Sequence, residues 1–159
     1  MSEWQRPSWV EIDHQALSKN ATWLRSLVNK GSFFCPMIKA NAYGHGAVAV
    51  AKTMRAQGIQ ALGVALLEEA IELRENKIDG SILVFSTFAD ASIRKLIQYQ
   101  ITPVLVNWAQ LRAFARELQK DSSVQGAYPI HLKFNTGMNR LGFAVSEARA
   151  VRDFIEANP

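Results

Sequence analysis

Apolar residues fall in short runs separated by stretches with helical spacing, and the two alternate along most of the chain. The run Trp9-Val10-Glu11-Ile12 predicts a first strand, and the spacing over residues 15–28 predicts the helix that follows it. Further strands are predicted at residues 33–38, 61–65, 82–85, 103–106 and 130–134, and further helices near 47–57, 67–75, 91–99, 108–118 and 146–157. Strand-then-helix order argues for a parallel sheet, because parallel neighbours need a crossover and a helix supplies it. Asp90 and Ser146 are predicted N-caps, Gly58 and Gly80 sit beyond helix ends, and Asp121-Ser122-Ser123 opens a polar loop. No linker divides the chain, and no tandem repeat or low-complexity tract is present.

A parallel βα sheet is either open and doubly wound or closed as an eight-unit barrel of typically about 250 residues. The chain has 159 residues, fewer than that, with a globular composition of 48% hydrophobic and 20% charged side chains. No GxGxxG follows any predicted strand, which counts against a dinucleotide-binding open sheet. The net charge is +4 and the sequence pI about 9.4, but the basic residues are scattered over helical patterns. No basic block is interleaved with aromatics, so nucleic acid is not the expected partner. Cys35 is the only cysteine, which rules out an intrachain disulfide and a cysteine-rich metal site. His14 and His131 have no metal-ligand spacing, so no metal is expected. The start lacks the basic-then-apolar order of a secretory signal and no apolar stretch is long enough for a bilayer, so a soluble cytoplasmic protein is expected. Trp4, Trp9, Trp23 and Trp108 are assigned to packing or to an interface.

Chemistry concentrates in two segments. Residues 37–46 read Met37-Ile38-Lys39-Ala40-Asn41-Ala42-Tyr43-Gly44-His45-Gly46. Lys39 ends an apolar run read as a fully buried strand, so its amine is expected to lose solvation and serve as nucleophile or base. Gly44 and Gly46 permit a sharp turn, and Tyr43 adds a phenol. A lysine at a strand end is most often a solvated charge; the ordered run of lysine, tyrosine, histidine and glycines is what singles this one out. Residues 131–143 read His131-Leu132-Lys133-Phe134-Asn135-Thr136-Gly137-Met138-Asn139-Arg140-Leu141-Gly142-Phe143. Here a predicted strand delivers a polar loop holding Arg140, whose planar guanidinium can clamp a carboxylate or a phenolic oxygen.

The first segment resembles the pyridoxal-phosphate attachment motif of the alanine racemases. The second resembles that family's segment whose commonest form has aspartate where this chain has Asn135, and residues 63–74 are a third stretch of likeness, assigned to packing. The resemblance implies an α/β protein with a parallel (β/α)8 TIM-type barrel followed by a separate β domain. Residues 1–159 would then be the N-terminal portion of the barrel, with about five βα units, and the C-terminal β domain would lie outside them.

The implied activity is interconversion of L- and D-alanine with pyridoxal 5'-phosphate as cofactor, for peptidoglycan supply or alanine catabolism. By motif position Lys39 would form the aldimine and act as one of two bases, and Tyr43 would help bind the cofactor phosphate. Arg140 would contact the cofactor phenolic oxygen and the substrate carboxylate, and Lys133 would match the lysine that is often carbamylated. The opposing base is a tyrosine from the C-terminal domain of the partner subunit, so a homodimer is implied and this chain alone is expected to be inactive. Two alternatives stay open: another barrel-type pyridoxal-phosphate enzyme or carrier homologue, and a non-catalytic half-barrel module. His45 is left between a hydrogen-bonding role at the turn and a solvated one.

Overall fold

The structure is a computed structural model that describes residues 8–122, 124 and 126–158. Trp4, the N-terminal heptapeptide and Ser123 of the predicted polar loop lie outside these residues. The elements run α1 (His14–Ser26), a short helical turn α2 (Lys39–Tyr43), α3 (Ala47–Ala56), β1 (Ala61–Val64), α4 (Leu67–Glu75) and β2 (Ser81–Val84). A 3₁₀ turn (Asp90–Ser92) leads into α5 (Ile93–Gln98), β3 (Thr102–Leu105) and α6 (Trp108–Lys120). Three short strands follow, β4 (His131–Leu132), β5 (Phe134–Asn135) and β6 (Phe143–Ala144), then a 3₁₀ turn (Val145–Glu147) and α7 (Ala148–Glu156).

Strands β1-β2-β3-β4 form one parallel sheet in that order, and β5 pairs parallel with β6 in a second, two-stranded one. Sequential parallel strands joined by helices make this a partial (β/α) barrel. Leu62, Val64, Ile82, Val84 and Leu105 pack outward on the helices, while Ala61, Leu83 and Val104 form a separate inner cluster with Cys35 and Phe85. The sheet curls toward closure. The Phe33 and His131 rings, from segments at opposite edges, lie 5.0 Å apart, where a flat sheet with strands about 4.8 Å apart would hold them roughly 19 Å apart. Gly63 permits the tight inner face: a Cβ there would collide with the Met37 sulfur and reach within 3.0 Å of Phe85.

Several predicted elements take other forms. Residues 9–12 form no strand, with Trp9 68% and Val10 82% exposed. Residues 33–38 are not a fully buried strand either. Phe33 is exposed, Phe34 to Met37 are half-buried, and only Met37 bridges β1, at Gly63. Pro36 offers its carbonyl to Gly63 N–H at 2.9 Å but has no N–H to return, which limits the ladder. The predicted strand at 130–134 breaks at Lys133, where the chain leaves β3 and turns to pair with β6. Neither Asp90 nor Ser146 caps a helix; both lie in 3₁₀ turns, and the residues at the N-cap position that accept through their own side chains are Asp13 on α1 and Asn107 on α6. Gly58 does follow a helix end, at φ +72. Trp108 packs edge-on against Phe143 and Phe154, whereas Trp9 and Trp23 remain exposed.

The rim at the strands' N-terminal ends is tied by side chains that serve backbone carbonyls. Arg55 donates to Ile59 O and Asp79 O, and Arg74 repeats the device one unit later on Ile78 O, Tyr99 O and Gln100 O. Tyr128 continues it, its hydroxyl lying 2.9 Å from Leu96 O and 3.0 Å from Ile101 O. Burial pushes the Tyr128 phenol up to about 12, against a weaker downward pull from the Arg74 guanidinium. The native state therefore keeps a proton that the unfolded chain releases near pH 10, and this stabilisation is lost as pH rises from 10 toward about 12. Tyr128→Phe should flatten the fall in unfolding free energy over that interval. An unchanged slope in urea titrations at stepped pH would show that the phenol does not carry it.

Candidate active site

Lys39 stands where the chain leaves the edge of β1 and reverses its helical sense. Ala40, Asn41, Ala42 and Tyr43 all have φ between 50 and 54, a run of four non-glycine residues in the left-handed region. Each such residue costs about 1–2 kcal/mol, because its Cβ crowds the following carbonyl. Only surroundings that over-determine the turn can hold it. Ala42 N–H donates to Ile38 O at 2.9 Å, Gly44 N–H to Ala40 O at 3.1 Å and Gly46 N–H to Asn41 O at 3.0 Å. The Asn41 side chain accepts from Ala47 N–H at 2.7 Å, capping the start of α3. His45 Nδ1 lies 2.9 Å from Ala42 O, so the ring belongs to the turn and that nitrogen donates. Gly44 and Gly46 complete the reversal at φ 87 and 88, where glycine is unstrained.

The reversal places Tyr43 back over the lysine. Lys39 is half-buried, its Nζ 5.9 Å from the centroid of the Tyr43 ring, and Tyr43 is 59% exposed. An amine and a phenol thus sit together at the rim, open to a ligand. Glu69 supports them from α4: one carboxylate oxygen accepts Ala40 N–H at 2.6 Å, the other Ala65 N–H at 2.8 Å and Leu66 N–H at 2.9 Å. Sequence reading assigned this stretch to packing. The signal available was a glutamate at the third position of a helix opening directly after a strand.

The second segment leaves the same end of the parallel sheet, beyond β4. Lys133 N–H donates to Leu105 O at 3.0 Å and Lys133 O accepts from Phe143 N–H at 2.9 Å, so its backbone joins the two sheets while its side chain stays half-buried. Asn135 organises the loop, its Oδ1 accepting from Gly137 N–H and Asn139 N–H and its Nδ2 donating to Asn139 Oδ1 at 2.8 Å. Asparagine therefore fills the acceptor role here without charge, and donates as well. Gly142 allows the crossing, since a Cβ there would meet Asn135 N at 2.7 Å. Arg140 is exposed, with no hydrogen bond or ion pair among the described residues. The structure thus brings Lys39 and Tyr43 into contact and puts Lys133 and Arg140 at the same end of the sheet, without direct contact to them.

Residues 12–159 match the family described as alanine racemase, N-terminal domain. The chain belongs to the alanine racemase family. It is 36% identical over 156 residues to an alanine racemase of Nostoc sp., covering 96% of this chain and 39% of the relative. To that of Geobacillus stearothermophilus it is 35% identical over 164 residues, covering 100% of this chain and 40% of the relative. The chain thus spans about two fifths of the length of these alanine racemases. Among solved structures, alanine racemase from E. faecalis superposes with a TM-score of 0.88 at 35% identity, covering 98% of this chain and 42% of that one. Alanine racemase from Bacillus anthracis, solved with bound L-Ala-P, superposes with a TM-score of 0.81 at 27% identity, covering 99% of this chain and 40% of that one. Among the described residues no helix is long and apolar enough to cross a membrane.

Proposed function

We propose that residues 1–159 form the lysine-bearing N-terminal portion of a barrel domain in an alanine racemase, a cytoplasmic homodimer that interconverts L- and D-alanine. The observation that carries this reading is the left-handed run after Lys39, a strained device that sets one amine beside one phenol at the C-terminal rim of a parallel sheet. The donors present fit pyridoxal phosphate. A half-buried primary amine suits its aldehyde, an exposed phenol hydroxyl can donate to its phosphate, and an unpaired guanidinium is free for anionic oxygens. Lys39 and Tyr43 would hold it, with Arg140 reaching it from the second loop. When bound, pyridoxal phosphate supplies the electron sink that makes the α-hydrogen of an amino acid acidic.

The side chains of this chain do the rest. Arg140 binds the substrate carboxylate and orients the α-carbon, and Lys39 Nζ takes or returns a proton on one face. Lys133, if carbamylated, becomes an anion that holds Arg140. Racemisation also needs a group on the opposite face, and in this reading a tyrosine of the partner subunit's C-terminal domain provides it. The bound L-Ala-P of the Bacillus anthracis neighbour supports an alanine-sized substrate.

Incubating the chain with pyridoxal phosphate, trapping with borohydride and mapping peptides should place the label on Lys39 well ahead of the other lysines. Labelling spread evenly over Lys19, Lys30, Lys52 and Lys95 would reject the site.

A further inference from the structure

We infer that Glu69 is a positioning residue for Lys39: its carboxylate locks the peptide that joins Lys39 to Ala40 and thereby sets the direction of the lysine side chain. The inference rests on the reading of Lys39 as the reactive amine. Two of the three contacts of Glu69 are local. Accepting from Leu66 N–H at 2.9 Å and Ala65 N–H at 2.8 Å satisfies donors at the start of α4, as a glutamate at the third helical position does in many helices. The third contact has no such explanation. Ala40 N–H is twenty-nine residues away in sequence, and its 2.6 Å bond is the shortest of the set.

The geometry gives that bond a specific effect. Ala40 N–H lies in the same peptide plane as the Lys39 carbonyl, so fixing its direction fixes rotation about the Lys39 Cα–C bond. It also satisfies the first N–H of a turn whose four residues, Ala40 to Tyr43, are all left-handed and would relax if released. A carboxylate acceptor makes the bond charge-assisted, stronger than a neutral one. Glu69 therefore couples three things at one rim: the end of β1, the start of α4 and the peptide after the lysine.

The test compares the unsubstituted chain with Glu69→Ala and Glu69→Gln, the second guarding against a variant that does not fold. Glutamine keeps one acceptor oxygen and replaces the other with a donor, so it cannot serve all three N–H groups. In both variants the Ala40 amide should exchange with solvent faster, by about tenfold in the alanine form. The shift that the Tyr43 ring imposes on the Lys39 methylene carbons should collapse toward the exposed-lysine value. Borohydride-trapped pyridoxal phosphate at Lys39 should fall by about tenfold at limiting cofactor, while amides in the second half of α4 keep their protection.

A purely helix-capping role predicts the opposite pattern, with α4 loosened and the Lys39 signals and labelling unchanged. That pattern would overturn the inference. If the unsubstituted chain takes no label at Lys39, the proposed function fails instead, and the Ala40 exchange and Lys39 shifts alone decide whether Glu69 positions the lysine.

Discussion

Lys39→Ala should abolish racemisation in a polypeptide that joins this chain to the remainder of a related alanine racemase. Removing a general base costs up to about 10⁴-fold, or roughly 5 kcal/mol of transition-state stabilisation. This residue is also the proposed covalent anchor, so both kcat and cofactor retention should fall. Among the described residues no side chain stands ready to substitute. The side chain beside the Lys39 amine among them is that of Tyr43, a phenol, and the other amine of the site, Lys133, lies beyond β4. Chiral chromatography of the alanine pool and the visible absorbance of bound cofactor measure the two losses separately. Racemisation within tenfold of the parent, with cofactor retained, would remove Lys39 from the mechanism.

Arg140→Ala should lower kcat/KM for alanine by about 10²-fold, close to 3 kcal/mol. The guanidinium is exposed and unpaired among the described residues, so its removal leaves no broken ion pair and the folded chain should persist. The loss then reads binding and orientation directly. Arg140→Lys should recover little, because a point charge cannot reproduce a planar two-donor clamp on a carboxylate. A loss smaller than threefold, or full recovery by lysine, would show that the arginine is peripheral.

What the sequence disclosed followed from locality. The strands at 61–64, 81–84 and 102–105 are almost wholly buried, so their unbroken apolar runs were legible, as were the helices between them. Residues 9–12 and 33–38 carry a similar pattern, yet pairing depends on neighbours and N–H groups that no window of sequence contains, and Pro36 removes one of those groups. The turn after Lys39 was only half legible. Gly44 and Gly46 announced a reversal, but Ala40, Asn41 and Ala42 read as ordinary residues, and their left-handed conformation is imposed by contacts with Ile38, Ala47 and distant Glu69. Asn135 illustrates the reverse case. Its carbonyl acceptor could be foreseen, whereas its donation to Asn139 Oδ1 required the loop's geometry. Glu69 escaped notice because its decisive partner lies in another unit.

The carbonyl ties of Arg55, Arg74 and Tyr128 have a consequence for how the molecule comes apart. Arg55 and Arg74 each reach a carbonyl just past their own helix and also the loop entering the next strand, and Tyr128 fastens the end of α5 to the residue before β3. Every clasp thus has its donor in one unit and acceptors that span a junction. Units tied in this way do not melt as independent beads: release of one strips hydrogen-bond donors from its neighbour's entry loop and lowers that neighbour's own threshold for opening. Loss of structure should travel along the rim as a zipper, from whichever end is disturbed first.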